Sequence, residues 1–310
     1  MFEDNNPVYP RMMLPSPVIL RVWENDFGVP SVDPECLQLM LLFKMHGVNV
    51  VVHQAYCPLW LDIPSIQFND HTVTRGPDLF LHALSLCRRS TDMVLDTGSH
   101  SSRLTAYKKY FMESFADVFY YDCWLNDINY EHAIKTWFNN VIPFPLSYFY
   151  LKRMREEAKT KFKGLLGSRD PDKYMMRQHQ YAARCLEDFA GLLKDGRCYF
   201  FGDFPTVLDV IIYSYLAVCL RMPLPDPRLQ NLIKNNLVLV RYVRNITQNF
   251  FPDTSAEFKY VEPVNATYDC ASTKSLIIAG LCATTAMFLY ACSIGLVKFQ
   301  FRSVDYIHNK

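Results

Sequence analysis

Two side chains by the first strand–helix turn, Ser31 and Cys36, have the types that nucleophilic chemistry uses. Ser31 lies in a turn, Val29-Pro30-Ser31-Val32-Asp33-Pro34, that leads from an apolar run into a helix, and Cys36 lies just beyond it. A hydroxyl or thiol at a helix N-terminus feels the positive end of the helix dipole, which favours its anion. The bland readings are a turn serine and a core cysteine on an apolar helix face, and they carry more weight. Ten cysteines stand at 36, 57, 87, 123, 185, 198, 219, 270, 282 and 292, with no pair at CxxC spacing. A chain of 310 residues that is 50% hydrophobic can build its own core, so these read as reduced packing thiols rather than disulfide staples. The eight histidines form no zinc-ligand spacing, and no P-loop, GxGxxG, GxSxG or HExxH is present, so no metal or cofactor is expected. The formal net charge of +1 gives no bulk attraction to nucleic acid. Trp124, Tyr130, Trp137, Phe144 and Tyr148 read as aromatic core between helices, with a pocket or partner groove as the alternative.

The elements around Ser31 and Cys36 read as one lobe over residues 18–90. Val18–Trp23 is a strand-like run rich in branched residues. Asp33 is a helix N-cap and Pro34 the first helical residue, Cys36–Met45 is nearly all apolar, and Gly47 stops the helix. Val48–His53 is a second strand, and the βαβ unit implies a parallel pair. Pro64 then precedes a short strand in Leu61–Phe68, Asn69-Asp70 turns the chain, His71–Thr74 is a fourth strand and Pro77–Cys87 a helix.

Residues 100–252 read as all-helical. Ser101–Asn126 and Tyr130–Asn140 carry Phe and Tyr at three- and four-residue steps, interrupted by Pro143 and Pro145. Leu151–Leu166 is a charged helix whose Lys152, Arg153, Arg155, Glu156, Glu157, Lys159, Lys161 and Lys163 read as a solvated face before a partner patch. Asp172–Lys194 is amphipathic. Thr206 and Asp209 have capping-box spacing before Val210–Leu220, which is apolar nearly all round and so buried. Their role is structural: losing the cap costs on the order of 1 kcal/mol.

Ser275–Val297 contains no charge and lies between Lys274 and Lys298. About 23 helical residues reach roughly 34 Å, enough for a ~30 Å hydrocarbon core. The expectation is one membrane anchor, after a linker at 253–274 and before a short basic tail at 298–310. Its position favours insertion after synthesis, with the body left in the cytosol. Ala279, Ala283 and Ala286 suit either close helix approach or lipid contact. The Asn265-Ala266-Thr267 glycosylation match is accidental on a cytosolic body. Residues 1–17, Pro-rich and without an apolar run, read as a disordered N-terminus and not a secretory leader.

Three stretches carry a family resemblance. The phrase Phe201-Gly202-Asp203-Phe204-Pro205-Thr206-Val207-Leu208-Asp209 resembles the signature opening the core helix of glutathione transferases. Gly28–Leu37 resembles the GLPSVDxxCL turn of metaxins, and Trp124–Met154 is similar to their W…NY…W…PFPL…RM segment. The resemblance implies a thioredoxin-like α/β lobe with a cis-proline at Pro64, an all-α lobe, and the membrane-anchored metaxin type. It implies a non-enzymatic role in protein import and β-barrel assembly at the mitochondrial outer membrane. The implied partners are a second metaxin and a barrel-assembly channel, with motor adaptors in mitochondrial transport. The alternative is a membrane-anchored glutathione-conjugating enzyme. Against it, the acid–Ser pair with which transferases grip glutathione is replaced by Thr74-Arg75-Gly76-Pro77, and Pro77 removes a backbone donor.

Overall fold

A computed structural model describes residues 16–54, 62–69, 71–90, 100–167, 170–202, 204–252 and 273–294. The N-terminal stretch before residue 16, the linker from 253 to 272, the tail at 298–310, Asp203, Cys57 and Cys270 lie outside the described residues.

The first lobe runs β1 (Val18–Val22), α1 (Pro34–Met45), β2 (Val50–Gln54), β3 (Ser65–Phe68), β4 (His71–Thr74) and α2 (Pro77–Ser90). Its sheet order is β2-β1-β3-β4. The β1 and β2 strands are parallel, in register Leu20 with Val52, and β3 and β4 run antiparallel. Val18, Leu20 and Val22 alternate into the core, while β2 forms an exposed edge with Val51 and Val52 open. The second strand starts at Val50 rather than Val48, because the Val48 N–H is taken by the Phe43 carbonyl, closing α1. The Ile63–Pro64 peptide bond is cis, and Pro64 sits buried just before β3.

The helical lobe begins with α3 (His100–Phe111), passes through a π-helical segment Met112–Ala116 and continues as α4 (Asp117–Trp124). The helical periodicity of Ser101–Asn126 holds through this run. The π segment inserts there, and Asn126 ends the run as cap of the next turn, accepting from Ile128 and Asn129 N–H. The short α5 (Asp127–Asn129) leads into a second π segment, Tyr130–Ile134, and then α6 (Lys135–Val141). Beyond them come α7 (Leu146–Leu166), α8 (Pro171–Leu192), α9 (Val207–Arg221), α10 (Arg228–Lys234) and α11 (Leu237–Phe250). The α9 helix is buried along most of its length and packs on α1, joining the lobes.

Its start is organised by one carboxylate. Asp209 accepts from the Thr206 N–H at 2.8 Å, the Thr206 hydroxyl at 2.7 Å, the Phe200 N–H at 3.1 Å and the Tyr242 hydroxyl at 3.1 Å. The reciprocal capping box is complete, and the same group ties the preceding turn and α11 to α9. Burial pushes the Asp209 carboxyl up, against the donors that favour its charge.

The last described helix, α12, is Thr273–Ser293. Its described side chains cover 280–294, and Leu281, Met287, Leu289 and Tyr290 are all more than 60% exposed. Among the described residues no helix is long and apolar enough to cross a membrane. The stretch 280–294 reaches roughly 22 Å as a helix. The side chains of 275–279 and residues 295–297, the rest of the expected anchor, lie outside the described residues.

Candidate functional site: an aromatic cleft between the lobes

The start of α1 follows from its cap. Asp33 Oδ2 accepts from the Cys36 N–H at 2.9 Å, and Pro34 occupies the first helical position, where no donor is needed. Ser31 has no exposed surface, and its hydroxyl oxygen accepts from the Asp33 N–H at 3.5 Å. Cys36 is likewise sealed. Burial pushes its thiol well above the usual range, and Asp33 adds to the rise. Neither group is presented as a nucleophile, because a thiolate needs a positive or wet surrounding.

Glu35 leaves the first turn of α1 toward the cleft and pairs with Arg75, Oε2 to Nε at 3.0 Å. Arg75 lies between β4 and α2, where a transferase would carry its acid. Its Nη1 rests against the Met154 sulfur at 3.4 Å. Burial opposes the Arg75 charge, but Glu35 and Asp33 outweigh it and hold the guanidinium above its ordinary value. Glu35 keeps 43% of its side chain open, yet the cleft walls desolvate its carboxyl and push it up, with Arg75 pulling back. We take it as a partly desolvated carboxylate.

Aromatic rings make the walls. Trp23 is buried and meets Phe138 at 5.2 Å, Tyr150 at 5.3 Å and Trp137 at 6.3 Å, all edge-on. Trp124 stands 5.8 Å from Phe138. The Trp137 indole donates to Asp26 Oδ2 at 2.8 Å, and the other oxygen of Asp26 accepts from the Phe27 N–H at 2.7 Å. Phe27 has φ +52°, an uncommon conformation for a bulky side chain, and it lines the cleft. The enclosed and solvent-connected space totals about 790 Å³.

The sequence-selected residues separate here. Trp124 and Trp137 line the cleft. Tyr130 packs under the Arg155 guanidinium at 4.3 Å. Phe144 and Tyr148 lie outside it, 49% and 58% exposed, so they are not interhelical core. Pro64, Thr206 and Asp209 are not among the lining residues. The α7 charges are largely spent on ion pairs: Arg153 with Asp62 and Glu157, Arg155 with Asp127, Lys159 with Glu156, and Lys161 with Asp117. Among the described residues no disulfide forms, and no three His, Cys, Asp or Glu side chains gather as metal ligands. Sequence reasoning missed the Glu35–Arg75 pair, the Asp26 link to Trp137, and the π segment that brings Ala133 and Ile134 to the cleft. The one available signal was a basic residue, Arg75, standing where an acid was expected.

Comparison with known proteins is consistent across sequence and fold. Residues 36–155 match a family model described as outer mitochondrial membrane transport complex protein, and residues 182–246 match the glutathione S-transferase C-terminal domain. The chain is 25% identical to Metaxin-1 of Mus musculus, covering 92% of each chain. It is 27% identical to Metaxin-1 of Homo sapiens over 92% of its own length and 63% of that protein's. It is 28% identical to a Metaxin-1 homolog of Caenorhabditis briggsae, over 77% of this chain and 76% of that one. Among solved structures, a glutathione transferase from Phanerochaete chrysosporium superposes with a TM-score of 0.50 at 11% identity, covering 76% of this chain and 98% of that one. A β-etherase from Sphingobium superposes with a TM-score of 0.50 at 10% identity, covering 77% and 100%. These last two establish the fold alone.

Proposed function

The chain belongs to the metaxin family with a glutathione-transferase-like fold, and from that premise we propose that it is a non-catalytic component of protein import and β-barrel assembly at the mitochondrial outer membrane. The observation that carries this reading is the match of residues 36–155 to an outer mitochondrial membrane transport complex protein, together with metaxin relatives matched over most of the chain. Its partners in the proposal are a second metaxin and a barrel-assembly channel, with motor adaptors as a further contact in mitochondrial transport.

A scaffold reading is supported by the chemistry of the first turn. Ser31 and Cys36 are sealed, and Arg75 occupies the place of the acid that would hold glutathione. A fold shared with transferases does not bring their activity with it. The body faces the cytosol in this proposal, held by Ser275–Val297. Two features support that anchor. The run is free of charge, and the described part of α12 exposes large apolar side chains on every side. Its polar groups are also satisfied internally: the Thr284 and Thr285 hydroxyls donate to the Gly280 and Leu281 carbonyls, as lipid requires.

Affinity purification from mitochondria in mild detergent tests the assignment. Recovery of a second metaxin and a β-barrel channel is expected, and their absence under conditions that keep other outer-membrane complexes intact refutes it. Deleting Ser275–Lys310 should release the body to the cytosol. Retention on mitochondria would move anchoring to a partner or another surface.

A further inference from the structure

The cleft has a composition that scaffolding alone does not require. Among the described residues, its charged lining side chains are Asp33, Glu35 and Arg75, two carboxylates against one guanidinium, a formal balance of −1. Arg75 pairs with Glu35 through Nε and Oε2 at 3.0 Å, and the Glu35 side chain stays 43% open. The next cation outward, Lys161, is taken by Asp117. The same cleft is lined by Tyr120, Trp124, Trp137, Phe138 and Tyr150.

A second observation is independent of the charges. Tyr150 is 7% exposed and lines the cleft, and its hydroxyl has no hydrogen-bond partner among the described residues. The oxygen itself is not sealed in the protein, so it is open to water or to a ligand atom that enters the cleft.

We propose that this cleft binds an organic cation on an apolar stem, an ammonium or guanidinium seated against Glu35 and Asp33 with its stem between the rings of Trp124, Trp137 and Tyr150. Three features fit together in this assignment. A net negative wall attracts the head group, ring faces stabilise a cation more than an anion, and the Tyr150 oxygen accepts one of its N–H groups. The ring walls give such a stem apolar surface to lie against. The same head group is available on a free amine or on a Lys or Arg side chain of a peptide, and the test separates these sources.

The test uses the full chain in mild detergent and follows intrinsic tryptophan fluorescence, to which Trp124 and Trp137 in the cleft wall contribute two of the four indoles. Three probes share a phenylpropyl stem: 3-phenylpropylamine, 3-phenylpropanol and 3-phenylpropanoate. The amine is expected to bind at least about tenfold more tightly than the propanoate, the size of one well-placed charge contact. Glu35→Gln should remove most of that preference, and Tyr150→Phe should weaken the amine severalfold while leaving the alcohol unchanged. Both variants are checked by thermal melting, and Tyr150→Phe, which keeps the ring packing, holds the assignment testable if Glu35→Gln unfolds. A short apolar peptide with one central Lys is compared with its norleucine version. Lys-dependent competition with the amine assigns the site to peptide side chains, and amine binding without it assigns the site to free amines. Equal or tighter binding of the propanoate, binding of none of the three, or displacement of the amine by glutathione at equal concentration would overturn the proposal.

Discussion

Replacing Asp209 by alanine should cost far more than an ordinary cap mutation. The Asp209 carboxylate accepts from four donors, and losing it has two separable parts. The capping-box half, Thr206 N–H back to the carboxylate, is worth about 1 kcal/mol. The Phe200 N–H and the Tyr242 hydroxyl then lose their acceptor inside the protein, where both residues are only 2% exposed. An orphaned buried donor costs about 1–3 kcal/mol, so the two together add about 2–6. The lower half is favoured, because Tyr242 also reaches the Asp209 carbonyl at 3.3 Å and can lean on it. The expected loss is about 3–5 kcal/mol, a large share of the ~5–15 kcal/mol that holds a protein together. Thr206→Ala, which removes only the hydroxyl part, should lose about 1 kcal/mol. Urea unfolding of the full chain in detergent, read by tryptophan fluorescence, measures both midpoints. If Asp209→Ala loses no more than Thr206→Ala, water or a shifted side chain has replaced the lost acceptor, and the carboxylate does not tie the turn and α11 to α9.

The Glu35–Arg75 pair should show a coupling of about 0.5–1.5 kcal/mol in a double-mutant cycle with Glu35→Gln and Arg75→Gln, discounted because Glu35 is 43% open; zero coupling would mean the ions are independently solvated. Maleimide labelling of the native chain followed by mass spectrometry should modify Cys198 well before Cys36, Cys87, Cys123, Cys185 or Cys219, all buried; early labelling of Cys36 would revive a thiol chemistry at the first turn. His179 is bonded to Asp122 at 3.0 Å. Burial works against its charge, but the Asp122 carboxylate outweighs it and raises the native value above 6.5. The native state therefore holds this proton more tightly than the unfolded chain. Its contribution is complete below about pH 6.5 and is lost as pH rises through the native value, by at most about 1.4 kcal/mol per pH unit. Thermal melts across pH 6 to 9 should fall with pH in the wild type and flatten in His179→Gln; identical profiles would remove His179 from the linkage.

What could be read without the structure was whatever short-range rules decide. The Asp33-Pro34 cap, the capping-box spacing of Thr206 and Asp209, and the strand–helix–strand order of residues 18–54 depend on neighbours within a turn or a pleat, so residue type and spacing carry them. The charge-free run of Ser275–Val297 is legible for the same reason, being a property of composition along one helix. Tertiary structure decided the rest. Glu35 and Arg75 are 40 positions apart, and only the packing of β4 and α2 beside α1 brings them to one ion pair. Nothing local distinguishes Trp137, which turns into the cleft on an Asp26 hydrogen bond, from Tyr148, which stays on the surface. The two π segments were equally silent, since one extra residue in a turn leaves the apolar spacing nearly unchanged while rotating every side chain beyond it. The cleft and its charge are therefore products of assembly: long-range packing chooses which polar groups lose water, and that choice is not encoded in any single stretch of sequence.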